Sequence, residues 1–288
     1  MQARRENKPA RVVSSAAYAA CALASLAIIA VLLLITGYLV KIGLDGMSID
    51  LFTRDPTGDP VDPGGMRHAI AGTLTLLAMA STVGVPLGVL AGIYLSEYAG
   101  DGGKLNSTIR FTADVLSGVP SIVVGIIGYE LLVVPMGNYN GYAGAAALAF
   151  IMVPIVARTT EEMLRLVPQS YREGSLGLGA TKAQTIIRVV IPAALGSMIT
   201  GVMLALARVA GETAPLLFTA LGSRFLSFDP GQPFPSLTVQ IYNYATGPYT
   251  NEKKLAWAGM LVLIAILFVL NLAIRFIASR SLKKMVPS

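Results

Sequence analysis

Arg208 and Glu212 stand four residues apart in ALARVAGETAPLLFTA, within a stretch otherwise rich in alanine, leucine and valine. A guanidinium is always charged and grips phosphate-like oxyanions through two parallel hydrogen bonds. The spacing i, i+4 puts the carboxylate on the same helix face. Charges inside apolar spans are costly and mark functional paths by default. Gly211 and Pro215 bracket the pair with residues that loosen a helix, and broken helices in membrane proteins line binding sites. The plainer alternative is a buried ion pair that fastens this helix to a neighbour.

Arg158 is a third charge of interest, with the positive flank of its span as the alternative reading. At 1.5 Å of rise per residue, Arg208 stands roughly 24 Å beyond Pro192. If the helix of Arg158 runs to about Leu166, that guanidinium lies only about 12 Å above the segment that follows. One small anion does not reach both, so they read as successive stations. Two other charges have structural readings: Asp114 suits a helix N-terminus, and Glu130 lies near an outer end where it reaches water. In LSGVPS, residues 116–121, Gly118 and Pro120 permit a kink or close helix approach, and Ser117 and Ser121 either line a pore or pack.

The elements that must position these residues are membrane helices. The 288 residues are 54% hydrophobic and 13% charged, with mean hydropathy +0.66, whereas soluble domains carry about 25% charged residues. Six apolar runs have the length of membrane spans: 16–40, 70–95, 111–134, 142–157, 193–221 and 255–277. The first is far longer than the roughly 7–15 apolar residues of a signal peptide, so it is expected to remain as an anchor. Cys21 has no disulfide partner and His68 is the only histidine, so neither a redox nor a metal site is expected.

Positive charge sets the orientation. Arg4, Arg5, Lys8 and Arg11 at one end, and Arg275, Arg280, Lys283 and Lys284 at the other, place both termini in the cytoplasm. Arg165, Arg172, Lys182 and Arg188 place the connection between spans 4 and 5 there too. The acidic first connection falls outside, as does the uncharged one near residues 137–141. The formal charge of +6 and pI of about 9.5 therefore report membrane orientation, with no nucleic-acid partner expected. The chain divides into a cytoplasmic tail (1–15), one transmembrane domain (16–278) with a cytoplasmic loop (159–192) and an outer loop (222–254), and a second tail (279–288).

The stretch REGSLGLGATKAQTIIRVVIP, residues 172–192, interrupts the apolar pattern. Pro168 suits a first helical turn and Gly179 a left-handed helix end. Thr181 and Gln184 form the pattern of a capping box. Two short helices joined at Gly179 and Ala180 follow, with Pro192 marking entry into span 5. Glu173-Gly174-Ser175, then Gly179, then Val189-x-Ile191-Pro192, resemble the "EAA" loop of ABC importer permeases, whose coupling helix docks in a groove of a cytoplasmic ATPase. Gly174 and Ser175 replace the two alanines usual in that family. A helix pair that merely anchors the loop is the alternative. Residues 100–104 mimic a phosphate loop, but Tyr98 occupies the place of its first glycine and Leu105 follows the lysine. No catalytic residue and no cofactor are therefore expected on this chain, with ATP and magnesium held by a separate ATPase.

Three further strings, LSGVPS, ARVAGETAPLLFTA and SLTVQIYNYA (residues 236–245), resemble the PstA-type permeases of Pst phosphate importers. The resemblance implies an all-α integral membrane protein with six transmembrane helices, a type I ABC importer permease fold, and cytoplasmic coupling helices between spans 4 and 5. It implies a cell-membrane assembly with a second homologous permease, two ATP-binding subunits and an extracytoplasmic phosphate-binding protein. Arg208, Glu212 and Arg158 match positions the family suggests for substrate passage. Glu212 would accept the proton that phosphate carries and sulfate lacks. In the outer loop, Pro230, Pro233, Pro235 and Pro248 stiffen the chain, and Leu237, Val239, Ile241, Tyr242 and Tyr244 are expected to expose an apolar face to a partner, unless they pack on their own helix ends. Rival readings are a permease for sulfate, molybdate or phosphonate, an ion-coupled secondary anion transporter, and a membrane subunit that reports phosphate supply to a cytoplasmic regulator.

Overall fold

The computed structural model describes residues 8–99 and 103–285. Arg4 and Arg5 of the first tail, residues 286–288 of the second, and residues 100–102 of the mock phosphate loop lie outside the described residues. Regular structure among the described residues is helical.

Helix α1 (Lys8–Asp45) is followed by the short α2 (Asp50–Thr53) and by α3 (Arg67–Ile93), which continues through a π-helical turn, Tyr94–Tyr98. Next come α4 (Lys104–Gly118), α5 (Ser121–Gly128), a second π turn (Tyr129–Val133) and α6 (Val134–Met136). The long α7 (Gly141–Arg165) leads to α8 (Gln169–Gly177) and α9 (Lys182–Thr185), then through a third π turn into α10 (Ile191–Ala210). The chain closes with α11 (Ala214–Thr219), α12 (Leu237–Thr246) and α13 (Thr250–Met285). Among the described residues, five helices are long and apolar enough to cross a membrane, and the bent pair Asn106–Gly118 and Ser121–Met136 makes six if it counts as one span.

Three expected boundaries move. The run 111–134 is no single helix: α4 and the α5 segment meet at 101° across Val119 and Pro120. Proline lacks an N–H and disfavours helical geometry in the residue before it, so the break falls where LSGVPS places it. The fifth span begins at Lys182, because the helix runs unbroken from there to Ala210. Pro192 does not mark its start: it occupies the first turn of α10, just after the π turn Ile186–Val190, where its missing N–H is tolerated. The same span ends at Ala210 rather than near Leu221.

The core is centred on α3 and α7, with α10 against them. Gly84, Gly88 and Gly92 recur every fourth residue along α3, and each looks onto a side chain of α7. A Cβ at Gly84 would meet Met152 at 3.1 Å, at Gly88 Val156 at 2.6 Å, and at Gly92 Thr160 at 2.6 Å. Lipid tails are as apolar as leucine, so helices in a bilayer associate through close packing, which small residues permit. Leu76, Ala80, Leu148, Met152, Val156, Ala205 and Val209 fill the surrounding space. Helix α1 is peripheral. It meets α13 towards its C-terminal end, where the Tyr38 and Trp257 rings stand edge to face at 5.8 Å and Gly43 lies against Leu261.

The outer segment departs from expectation. Leu237, Val239, Ile241 and Tyr244 are buried, and only Tyr242 of the five named residues is exposed. The segment coils into α12, caps itself through Ser236 Oγ to the Val239 N–H, and packs with Leu51, Met66, Leu255 and Ala258. A helix of half-apolar composition gains more by inserting beside α3 and α13 than by facing water. The connection between α1 and α3 is stitched by ion pairs, Arg54 to Asp50 and Asp62, and Arg67 to Asp55 at 2.7 Å. The hydrogen bond from Arg67 holds the Asp55 carboxyl below its ordinary value, so this contribution is present above about pH 4 and fades as pH falls further.

Gly88→Leu should push α3 off α7 and cost about 1–3 kcal/mol of stability, the usual penalty of overpacking. A Cβ at Gly37 of α1 meets nothing within 4 Å, so Gly37→Leu should be neutral. Thermal unfolding of the two purified variants in detergent compares them, and equal melting temperatures would refute the glycine contact.

Candidate functional site

The two breaks in the spans lie against each other. Helix α5 packs on α11 through glycine: a Cβ at Gly125 would stand 3.0 Å from Pro215 Cα and 3.1 Å from the Ala214 carbonyl oxygen, and one at Gly128 would stand 3.0 Å from Thr219. Of the two readings of Gly118, a kink or a close approach, the kink is the one observed: α4 ends there at a 101° bend, and a Cβ at Gly118 meets nothing within 4 Å. Its role is to end α4. The glycines that permit contact are Gly125 and Gly128, and the small residues recurring in SIVVGIIG were the available signal. Ser117 Oγ donates to the Ala113 carbonyl at 2.8 Å, which leaves its hydroxyl proton committed to its own helix. Ser121 opens α5 at the bend and is half-buried.

Arg208 and Glu212 do not share a helix face. Arg208 lies in the last turn of α10, exposed, while Glu212 falls in the gap before α11 and is half-buried. The expected i, i+4 geometry needs a helix that continues through Gly211, and this one stops. No hydrogen bond or ion pair joins the Arg208 side chain to another described residue, so the fastening ion pair does not form. The backbone of Glu212 is well held. Its N–H donates to the Val209 carbonyl at 3.1 Å and its carbonyl accepts from Thr238 Oγ1 of α12 at 3.0 Å. Gly211 and Pro215 thus bracket a non-helical carboxylate, with Pro215 in the first turn of α11.

Arg158 differs from Arg208. It projects from α7 roughly 10 Å before that helix ends. Its Nε donates to Glu162 Oε1 at 2.8 Å, and its Nη1 lies 3.3 Å from Asp114 Oδ1 of α4. Asp114 is therefore a partner of Arg158 and not a helix N-terminal charge, since α4 begins at Lys104. Any anion reaching Arg158 must compete with two carboxylates. Glu130 sits exposed on the second π turn.

One polar centre escaped the sequence. Glu161, 3% exposed, accepts from Arg110 Nε at 2.8 Å and forms an ion pair with Arg165, whose Nη2 lies 2.8 Å from Oε1, and Arg110 Nη2 also donates to the Leu95 carbonyl at 3.0 Å. Arg110 so ties α4 to the ends of α3 and α7. Partners this distant along the chain leave no local pattern.

The segment after α7 folds as two short helices. Gly179 takes φ +85°, the left-handed conformation that favours glycine, and the Ala180 N–H donates to the Ser175 carbonyl. Thr181 and Gln184 complete a reciprocal capping box. Ser175 Oγ and Thr185 Oγ1, 2.9 Å apart, hold α8 to α9. Glu173 and Gly174 are exposed, and a Cβ at Gly174, Gly177 or Gly179 would meet nothing within 4 Å. The outward face of α8 is thus clear. Pro192 lies beyond the π turn, within the helix that carries Arg208.

Comparison with known proteins matches residues 84–286 to the family of binding-protein-dependent transport system inner membrane components. The phosphate transport system permease protein PstA of Yersinia pestis is 44% identical over 238 residues, 83% of this chain and 80% of that protein. The PstA of Haemophilus influenzae is 43% identical over 82% of this chain and 83% of its own. Among solved structures, a bacterial ABC transporter involved in the import of the acidic polysaccharide alginate superposes with TM-score 0.66 at 14% identity, covering 94% of this chain and 99% of that one. That likeness concerns the fold.

The placement of Arg208 on the open face of α10 is checkable with thiol chemistry. In a Cys21→Ser background, Arg208→Cys should react readily with a water-soluble maleimide in membranes, whereas Ala205→Cys, from a position 0% exposed, should not. Equal labelling of the two would overturn the orientation given for α10.

Proposed function

The chain belongs to the binding-protein-dependent transport system inner membrane components, in the group of PstA permeases, and from that premise we propose how it moves phosphate. It is a multi-pass inner-membrane subunit of an ABC phosphate importer, with the fold of an ABC importer permease, and is not by itself an enzyme. A permease partner, an ATPase and a binding protein complete such an assembly.

The finer reading is ours. Both termini and α8–α9 face the cytoplasm, and a phosphate-binding protein delivers its ligand outside. The ATPase pair engages the clear face of α8 around Glu173, Gly174 and Ser175 and drives alternating access. The observation that carries the path is the exposed, unpaired guanidinium of Arg208 beside the break that presents Glu212. A charge in that position has no internal partner to give up and so is free to take a dianion or monoanion of phosphate. Glu212, off the helix, is placed to accept the proton that phosphate carries and fully ionised sulfate lacks. Arg158, bracketed by Glu162 and Asp114, forms a later and weaker station, from which competition by two carboxylates favours release.

Reconstituted vesicles holding this chain with its partner permease, ATPase and binding protein should take up labelled phosphate in an ATP-dependent manner, against excess sulfate and molybdate. Arg208→Ala should lower that uptake by about tenfold or more, as expected for loss of a charge-assisted contact worth roughly 1.5–3 kcal/mol. Uptake of a competitor in place of phosphate would overturn the substrate, and full activity of the Arg208 variant would overturn the path. Gly179→Pro, which places proline where φ is +85°, should leave ATP hydrolysis running while uptake falls. Wild-type uptake in that variant would exclude α8 as the driven element.

A further inference from the structure

The side chain immediately before Glu173 points the opposite way. Arg172 of α8 turns into the membrane domain, where its side chain is 15% exposed and that of its partner Glu97 is 6% exposed. The pairing is a fork: Arg172 Nη2 donates to Glu97 Oε1 at 2.6 Å and Nε to Oε2 at 3.2 Å. Two further donors are used as well. Nη1 meets the Val167 carbonyl at 2.6 Å and Nη2 the Leu164 carbonyl at 2.9 Å.

Each of these acceptors belongs to the end of a span. Glu97 sits in the π turn Tyr94–Tyr98 that extends α3, closed by the Ala99 N–H donating to the Tyr94 carbonyl at 2.9 Å. Leu164 lies in the last turn of α7, where helix carbonyls carry partial negative charge, and Val167 lies two residues beyond its end. One guanidinium therefore joins three elements. Lys182 of α9 lies over the Tyr98 ring at 4.9 Å and adds a weaker tie to the same π turn.

We propose that Arg172 is a positioning residue that clamps the driven helix α8 to the cytoplasmic ends of α3 and α7, so that a push on α8 moves both spans as one body. The proposal rests on the reading that α8 receives the ATPase. Its physical ground is the shape of the connection. Between α7 and α8 the chain offers only Leu166, Val167 and Pro168, a short non-helical joint that would bend under load. Towards α10, by contrast, α8 is joined through the Ser175–Thr185 contact to a continuous helix. With the clamp removed, α8 would still drive α10 but would fold at the joint instead of carrying α7 and α3. Fork geometry makes the tie directional as well as attractive, which a lysine ammonium does not reproduce.

The test uses the complete importer reconstituted in vesicles, scored as labelled inorganic phosphate taken up per ATP hydrolysed. Arg172→Ala should lower that ratio by about tenfold, the order of coupling seen between contacting residues of one network, while ATP hydrolysis continues. Glu97→Gln, which keeps the side-chain shape, should lower it in the same sense. The double variant Glu97→Gln/Arg172→Ala should be no worse than Arg172→Ala alone, and Arg172→Lys should recover part of the ratio. The amount of assembled complex and its melting temperature separate folding from coupling. An unchanged ratio in Arg172→Ala overturns the clamp, as does a fall in uptake and hydrolysis together with loss of assembled complex in every variant. Absence of ATP-dependent uptake in the unsubstituted importer would instead overturn the functional reading, and the clamp with it.

Discussion

A peptide group that leaves its helix within a bilayer has no water to bond, and everything else in this chain accommodates that constraint. The backbone breaks twice inside its apolar spans, at Val119–Pro120 and again across residues 211–213. At the first break the Val119 N–H bonds the Leu116 carbonyl and the Val123 N–H the Pro120 carbonyl. At the second, Gly211 and Glu212 bond back to Arg208 and Val209, and Thr238 covers the Glu212 carbonyl. The last of these bonds ties the buried α12 to the break, since its threonine covers a carbonyl just beyond the end of α10. Proline and glycine are affordable at these points only because protein surrounds them.

Surrounding the breaks requires backbones to come close, and glycine does this on both sides. Gly125 and Gly128 let α5 lie on α11, while Gly84, Gly88 and Gly92 let α3 lie on α7. The first contact joins the two broken spans into one unit. The second builds an unbroken pair beside it, with α10 packed against the pair. Charge then organises the end of the bundle at which α8 lies, where apolar packing gives way to polar contacts. Arg110 and Arg172 each bond a side-chain carboxylate and main-chain carbonyls, so that α3, α4, α7 and α8 end in a common polar lattice.

Much of this was legible in local sequence because its causes are local. Apolar runs gave the spans, since length and composition decide what crosses a bilayer. The Thr181–Gln184 box and the left-handed Gly179 were readable because a cap depends on residues within one turn. The breaks were marked by proline and glycine, but their consequences were not: the Glu212 carbonyl that the break at Gly211 exposes is covered by Thr238, twenty-six residues beyond Glu212. The same separation hid the pairs Arg110–Glu161, Arg158–Asp114 and Arg172–Glu97. The apolar face of α12 was visible, yet its destination was not, because periodicity reports that a face must be covered without saying by what. The glycine ladder of α3 was the missed signal, a repeat of every fourth residue in plain view.

The unequal treatment of two arginines follows from these same contacts. Arg158 stands where α4 and α7 run close enough for Asp114 to reach it, and Glu162 follows one turn below on its own helix, so its charge is largely answered from within. Arg208 stands at the end of α10, where the carboxylate that helical continuation would have brought beneath it is carried away by the break. The termination at Ala210 thus does two things at once: it frees a guanidinium, and it moves the Glu212 carboxylate off the helix onto non-helical backbone. A continuous helix would have paired the two charges and neutralised the site. The broken helix is what leaves a protein of this apolar composition with an unanswered positive charge facing outward from its core.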